Sequence, residues 1–379
     1  MRFHPSPFFS RGGILTSALN AKLVLEDGTT FEGESFGSPL SGSGEVVFNT
    51  GMTGYNESLT DPSYYGQVLC LTYPLVGNYG VPKKIIENGL IKNFESHKIQ
   101  VRGLVVNYYS EQYSHHSASK SLGEWLAEEK IPAITGIDVR ALTKVLRERG
   151  TMLGKIVVGS KDCGLYDPNK FNIVENVSIH KPIVYGKTGK KVLLIDCGAK
   201  NSIIHSLLAR GLRVIRVPWD YDFLSSAGRK SLGLDFDGIM VSNGPGDPKM
   251  CVQTIRNVRS AIEAQIPTFG ICLGNQILAL ASGADTYKLK YGHRGQNQPA
   301  YIVGEKKCFI TSQNHGFAVN EKTLQKGCWE PWMRNANDGT NEGIRHRSLP
   351  FFSVQFHPEA NPGPTDTKFL FDEFVKVLK

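Results

Sequence analysis

Apolar and polar positions follow two different rhythms along this chain. From about Leu23 to Val158 short apolar runs are broken by turn residues. The block opens with Lys22–Leu25, then Glu26-Asp27-Gly28, then Thr29–Gly33. Asp-Gly between apolar runs predicts a hairpin, because glycine accepts the left-handed turn conformation without steric cost. Further strands are expected at Gly44–Phe48, Val68–Thr72 and Gly103–Asn107. Helical spacing covers Ser121–Glu129, which Pro132 follows, and Asp138–Arg149, with Asp138 as N-cap and Gly150 at the stop. Periodicity is weak from Gly159 to Lys190, which reads as a linker between domains.

From Lys191 the rhythm becomes strand, helix, strand, helix. Strands are expected at Val192–Ile195, Leu212–Val217, Gly238–Ser242 and Pro267–Ile271. Helices are expected at Asn201–Arg210, Cys251–Gln265 and Leu273–Ser282. Alternation of this kind implies a parallel sheet covered on both faces. Sites in such sheets lie beyond the carboxyl ends of the strands.

Composition narrows the picture only a little. The 379 residues suit two domains, with 40% hydrophobic and 21% charged residues. Net charge is +8 at pH 7, but no run of five or six Lys/Arg forms a nucleic-acid arm. Seven cysteines without a C-x-x-C pair fit neither a disulfide framework nor a zinc knuckle. A reducing compartment is expected. No apolar run approaches the roughly 20 residues of a membrane span. The first 25 residues lack Asp and Glu and carry Arg2, Arg11 and Lys22, so they read either as a mitochondrial transit segment or as a plain extension. Gly186-Lys187-Thr188 lacks the earlier glycine of a phosphate loop.

Three segments carry candidate chemistry. Gly270-Ile271-Cys272-Leu273-Gly274 has the form G-x-C-x-G between a strand and a helix. That is the cysteine counterpart of the nucleophile elbow, and a helix N-terminus there favours thiolate. The competing reading is a small buried cysteine. In Gln355-Phe356-His357-Pro358-Glu359, the proline holds His357 extended, so His357 and Glu359 face one side. Such a pair can take a proton from Cys272 and stabilise the imidazolium, or it can be an exposed loop. Ser242-Asn243-Gly244-Pro245-Gly246-Asp247-Pro248 has the glycines of a loop that approaches a ligand, or of a tight turn.

Together, in this order, the three segments resemble the class I, triad-type glutamine amidotransferases. The likeness extends over nearly the whole chain. Leu25–Thr29, Gly44–Thr50, Thr53–Tyr55, Thr60–Tyr64, Gly77–Gly80, Gly136–Arg140, Gln313–Phe317 and Phe356–Gly363 resemble the small subunit of carbamoyl-phosphate synthase. Other amidotransferases lack the N-terminal block.

The resemblance implies a flavodoxin-like parallel-sheet α/β amidotransferase domain at 190–379. It implies a smaller N-terminal α/β domain at 21–158, with a linker at 159–189 and an extension at 1–20. It implies Cys272 as nucleophile, His357 as base and Glu359 as its partner. Leu273 and Gly244 would supply oxyanion N–H groups. Ser63, Gly244, Gly246, Leu273, Gln276, Asn314, Gly316 and Phe317 would hold L-glutamine. It places no metal or organic cofactor in this chain, and expects ATP and Mg on a carbamoyl-phosphate synthetase large subunit or C-terminal synthetase domains. Neither nucleic acid nor membrane is an expected partner. The mitochondrial matrix is the expected location, with the cytoplasm as alternative.

The chain departs from the family at Asn275, where histidine is usual. In related vertebrate urea-cycle enzymes asparagine there accompanies loss of the cysteine and use of free ammonia. Cys272 is retained here. Two rival readings are a stand-alone glutaminase and a non-catalytic scaffold of an ammonia-using synthetase.

Overall fold

The computed structural model describes residues 19–232 and 235–378. The transit-segment reading at the N-terminus falls on residues that lie almost wholly outside these.

The first domain is a closed barrel of seven strands: β1 (Asn20–Leu25), β2 (Thr30–Ser35), β3 (Gly42–Asn49), β4 (Gln67–Leu71), β5 (Gly103–Val105), β6 (Ala133–Thr135) and β7 (Met152–Val158). They close in the order β1-β7-β3-β4-β5-β6-β2. The Asp27-Gly28 hairpin joins β1 to β2, with Val24 opposite Thr30. The two predicted helices form at Leu122–Glu128 and Val139–Arg149. Ser121 and Glu124 make a reciprocal capping box, and Asp138 accepts from Ala141 N–H. Each cap satisfies backbone donors that a helix N-terminus would leave unpaired.

The second domain is built on ten strands. β8 (Ile183–Tyr185), β9 (Lys191–Asp196), β10 (Arg213–Pro218), β11 (Gly238–Val241) and β12 (Thr268–Ile271) come first. β13 (Asp285–Ile302), β14 (Cys308–Asn320), β15 (Trp329–Asn335), β16 (Asn341–His346) and β17 (Phe351–Val354) follow. Their order is β8-β10-β9-β11-β12-β17-β16-β15-β13-β14. From β10 to β17 the pairs are parallel. Residues alternate between two cores: Val192 and Leu194 pack on one face of β9, Leu193 and Ile195 on the other.

The parallel sheet expected from the alternation is present and is longer than the alternation indicates. β16, β15, β13 and β14 extend it as antiparallel strands. Much of β13 and β14 alternates exposed and half-buried positions and is rich in polar residues. Such strands lack the apolar run of a fully buried parallel strand, so they escape that criterion. The linker likewise contributes β8, an antiparallel edge beside β10.

The domains share a buried boundary rather than a hinge of loops. Thr50 N–H donates to Arg294 O at 3.2 Å and Thr151 N–H to Lys290 O at 2.9 Å. Asn201 Nδ2 donates to Phe94 O at 3.0 Å. The antiparallel half of the sheet and the loops beyond the parallel strands both face the barrel there.

Candidate active site

Cys272 stands between the end of β12 and the helix Leu273–Ala281, with φ 56° and ψ −103°. Its N–H donates to Val354 O at 2.8 Å. A left-handed φ is costly for a residue with a side chain and persists where the surroundings over-determine it. The glycines make the turn fit. A Cβ on Gly270 would come within 2.4 Å of Gly274 O, and one on Gly274 within 2.2 Å of Val241 O. The elbow therefore points a single thiol from a packed turn, as the G-x-C-x-G pattern requires.

His357 and Glu359 meet as their spacing predicts, Nδ1 to Oε1 at 2.6 Å, both buried. His357 Nε2 is buried without a hydrogen-bond partner and is the nitrogen left for proton transfer. Cys272 lies close enough to act on this ring. In the resting arrangement its thiol is 3.6 Å from Asn314 O, and Gln355 Nε2 is 3.8 Å from its sulfur. Burial opposes charge on the pair, yet the two groups stabilise each other. The imidazole is held well above its ordinary range by Glu359 and Cys272 against that burial. Burial would lift the Glu359 carboxyl, but Lys200 first and then His357 hold it low.

Lys200 is a residue that the motifs do not single out. It follows β9 and is buried, with Nζ 3.1 Å from Glu359 Oε1 and donating to Ala360 O at 2.6 Å. Glu359, Glu95 and Asp61 together offset its burial and hold its charge. Its place at the carboxyl end of a parallel strand is the one sequence signal for it. Asn243 belongs to the glycine loop, but the resemblance assigns it no role. Its Nδ2 donates to Ser63 Oγ at 2.9 Å, and its Oδ1 accepts from Lys200 N–H at 3.0 Å.

A cleft open to solvent lies at Cys272. Leu273, Gly244, Gly246, Gln276, Asn314, Gly316, Phe317 and Ser63 all line it, so the structure brings together every residue that the resemblance assigned to glutamine. Gly244 presses against Leu273: a Cβ there would meet Leu273 Cδ2 at 2.7 Å and Cys197 O at 2.1 Å. Asn314 reaches the barrel, donating to Asp61 Oδ2 at 3.0 Å. Gln276 donates to Phe317 O at 2.8 Å.

The barrel wall adds Glu45, paired with Lys288 at 2.6 Å and also lining the cavity. Arg294, fully buried, lines it too. Asn275 does not line it. Asn275 Nδ2 donates to Gln355 Oε1 at 3.1 Å, and its Oδ1 accepts from Ser353 Oγ at 2.8 Å, in a buried amide layer behind the nucleophile.

His293, His315 and Glu342 are the described group whose donor atoms lie close enough together for a metal. Their partners favour an ion pair instead. His293 sits 2.9 Å from Asp338 and 3.7 Å from Glu342; against its burial these carboxylates raise it to about 9. Both nitrogens of His315 are engaged, by Phe317 O and Gln313 Oε1.

Residues 193–377 match the family "Glutamine amidotransferase class-I", and residues 23–156 match "Carbamoyl-phosphate synthase small chain, CPSase domain". A Homo sapiens protein named Carbamoyl-phosphate synthase [ammonia], mitochondrial is 49% identical over 98% of this chain and 25% of its own length. The Multifunctional protein CAD of Squalus acanthias is 53% identical over 95% of this chain and 16% of its own. The Multifunctional protein pyr1-3 of Dictyostelium discoideum is 48% identical over 93% and 17%. The chain thus spans a quarter or less of the length of these relatives. With an amidotransferase elbow facing a barrel that matches the second family, the chain belongs to the carbamoyl-phosphate synthase small-chain family and carries its class I glutamine amidotransferase domain.

Proposed function

We propose that the chain hydrolyses L-glutamine to glutamate and ammonia and delivers the ammonia to a carbamoyl-phosphate synthetase unit. The observation that carries this reading is the strained Cys272 at the foot of a two-domain cavity, beside the buried His357–Glu359 pair. The Cys272 thiolate attacks the carboxamide carbon. Leu273 and Gly244 N–H groups meet the oxyanion, where fixed dipoles in a dry site stabilise developing charge. Collapse breaks the C–N bond, His357 Nε2 gives its proton to the departing nitrogen, and a glutamyl thioester remains. Water, deprotonated by the same imidazole, releases glutamate.

A second, smaller pocket touches His357 from the side of Lys200, Asp61 and Pro362. We assign it as the start of the ammonia route. ATP and Mg belong to the synthetase unit, where carbamoyl phosphate would form. Relatives of greater length, two of them named as multifunctional proteins, favour a synthetase fused to or bound by this chain. The acid-free first 25 residues and the mitochondrial names of relatives favour the mitochondrial matrix.

A second reading has two observations behind it. The human, rat and mouse relatives carry ammonia in their names, and Asn275 departs from the family pattern. In that reading the chain is a scaffold. Asn275, however, is satisfied in its amide layer and leaves the cavity lining intact.

The test is glutamate release from glutamine, with and without a synthetase unit, for the wild type and Cys272→Ser. Coupled hydrolysis shows as weak release alone, a large rise with the synthetase and loss in the variant. Partner-independent turnover points to a stand-alone glutaminase. No turnover, with ammonia-dependent synthesis intact, leaves the scaffold.

A further inference from the structure

Glu95 belongs to the barrel domain, is fully buried, and takes no part in the reaction steps above. Both carboxylate oxygens reach into the other domain. Oε2 accepts from Ser202 Oγ at 2.7 Å and from Ser202 N–H at 3.2 Å, in the first turn of the helix Asn201–Leu208. Oε1 accepts from Asn361 Nδ2. The backbone is tied as well: Asn201 N–H donates to Glu95 O at 2.9 Å, and Glu95 N–H donates to Thr60 Oγ1 at 3.0 Å.

Asn361 lies two residues beyond Glu359. Ala360 and Asn361 are both left-handed, with φ 60° and 54°. Residues with side chains are strained there, so the turn needs outside support. Two side chains supply it. Lys200 grips Ala360 through its carbonyl, and Glu95 grips Asn361 through its amide. Lys200 also carries Glu359 directly, and shares its charge with Glu95, Asp61 and Glu57. Burial pushes the Glu95 carboxyl up to about 7 against the pull of Lys200, which leaves it responsive to what surrounds it.

We propose that Glu95 is a positioning residue for glutamine hydrolysis: through Asn361 and the Lys200 ammonium it sets the orientation of Glu359 beneath His357. The barrel thereby tunes the triad without touching substrate. This rests on the glutaminase reading above.

The test uses the full chain and Glu95→Gln, Glu95→Asp and Asn361→Ala. Steady-state hydrolysis, thermal melting and the rate of Cys272 alkylation by iodoacetamide at neutral pH are measured. Glu95→Gln keeps the shape and removes the ionisable carboxyl. Its kcat should fall about tenfold, with KM changed by less than about twofold, since the lost support acts on the reacting groups rather than on substrate binding. Alkylation should slow in the same variant, because the imidazolium beside the thiolate loses its anchored carboxylate. Asn361→Ala should follow in the same direction, and Glu95→Asp should recover part of the rate. A folded Glu95→Gln with wild-type kcat and alkylation overturns the proposal, as does a loss confined to KM. If Glu95→Gln gives no cooperative melt, Asn361→Ala decides, and an unchanged kcat there overturns it. If the wild type releases no glutamate, the glutaminase reading fails, while the alkylation rates still judge Glu95.

Discussion

The two domains contribute to the site in opposite ways. The amidotransferase domain carries the groups proposed to react, Cys272, His357 and Glu359 with the Leu273 and Gly244 N–H groups. The barrel supplies no reacting atom. It supplies acids and amide partners: Asp61 beneath Asn314, Ser63 beside Asn243, Glu45 against Lys288 and Glu95 beside Lys200. Chemistry is local to one domain, whereas the charge balance that holds it spans both. A buried ion loses several kcal/mol of hydration, so each must find its counter-ion wherever the fold brings one.

The comparison can be tested in steps. Cys272→Ala should remove glutamine hydrolysis almost entirely, by a factor on the order of 10³ or more, with little change in melting temperature. A large drop in stability there would mean that the elbow is held by the thiol rather than by its glycines. Lys200→Met should reduce kcat on the order of 100-fold. It should also destabilise the chain by about 3–5 kcal/mol, because Glu359 and Glu95 would stay buried without their shared cation. Urea unfolding reads the second effect, and a fully stable variant would show that those acids discharge by taking up protons.

Ser63→Ala tests the barrel on substrate. KM for glutamine should rise by about tenfold with kcat nearly kept, together with about 1 kcal/mol of stability lost as Asn243 Nδ2 keeps only its longer bond to Asp61 Oδ1. An unchanged KM would reduce the barrel to a support for charge alone. The smallest effect should come from the ion pair of His293 in the antiparallel half of the sheet. The folded pKa of His293 is raised to about 9 by Asp338 and Glu342 against burial, above its unfolded value. Its contribution is fully present below about pH 6.5 and lost as pH rises through about 9. Over that window the melting temperature of the wild type should fall a few degrees further than that of His293→Asn. Parallel curves would mean that the ring is neutral in the fold.

Features that depend on neighbouring residues are legible in the sequence. The Asp27-Gly28 turn, the Ser121 and Asp138 caps and the elbow around Cys272 find their partners within a few positions. So does the His357–Glu359 pair, two residues apart. Lys200 and Glu95 are not legible in this way. Lys200 finds Glu359 159 residues away, and Glu95 finds Asn361 266 residues away, so no local spacing connects them. The strands β13 and β14 escape a sequence reading for a different reason. Their inward residues are polar because they face the Cys272 pocket and the barrel, and a hydrophobic pattern cannot report a buried surface made of Arg294, Gln313, Asn314 and His315.

The charged boundary between the domains has a consequence for modular exchange. A chimera that joins this amidotransferase domain to another barrel through the 159–189 connection would keep the triad's sequence intact. It would still present Lys200 and Asn314 to a surface that must offer acids at matching depth and position. The unit that can be transplanted between proteins of this family is therefore the two-domain pair. A donor barrel would be compatible only where it brings its own counterparts of Asp61 and Glu95.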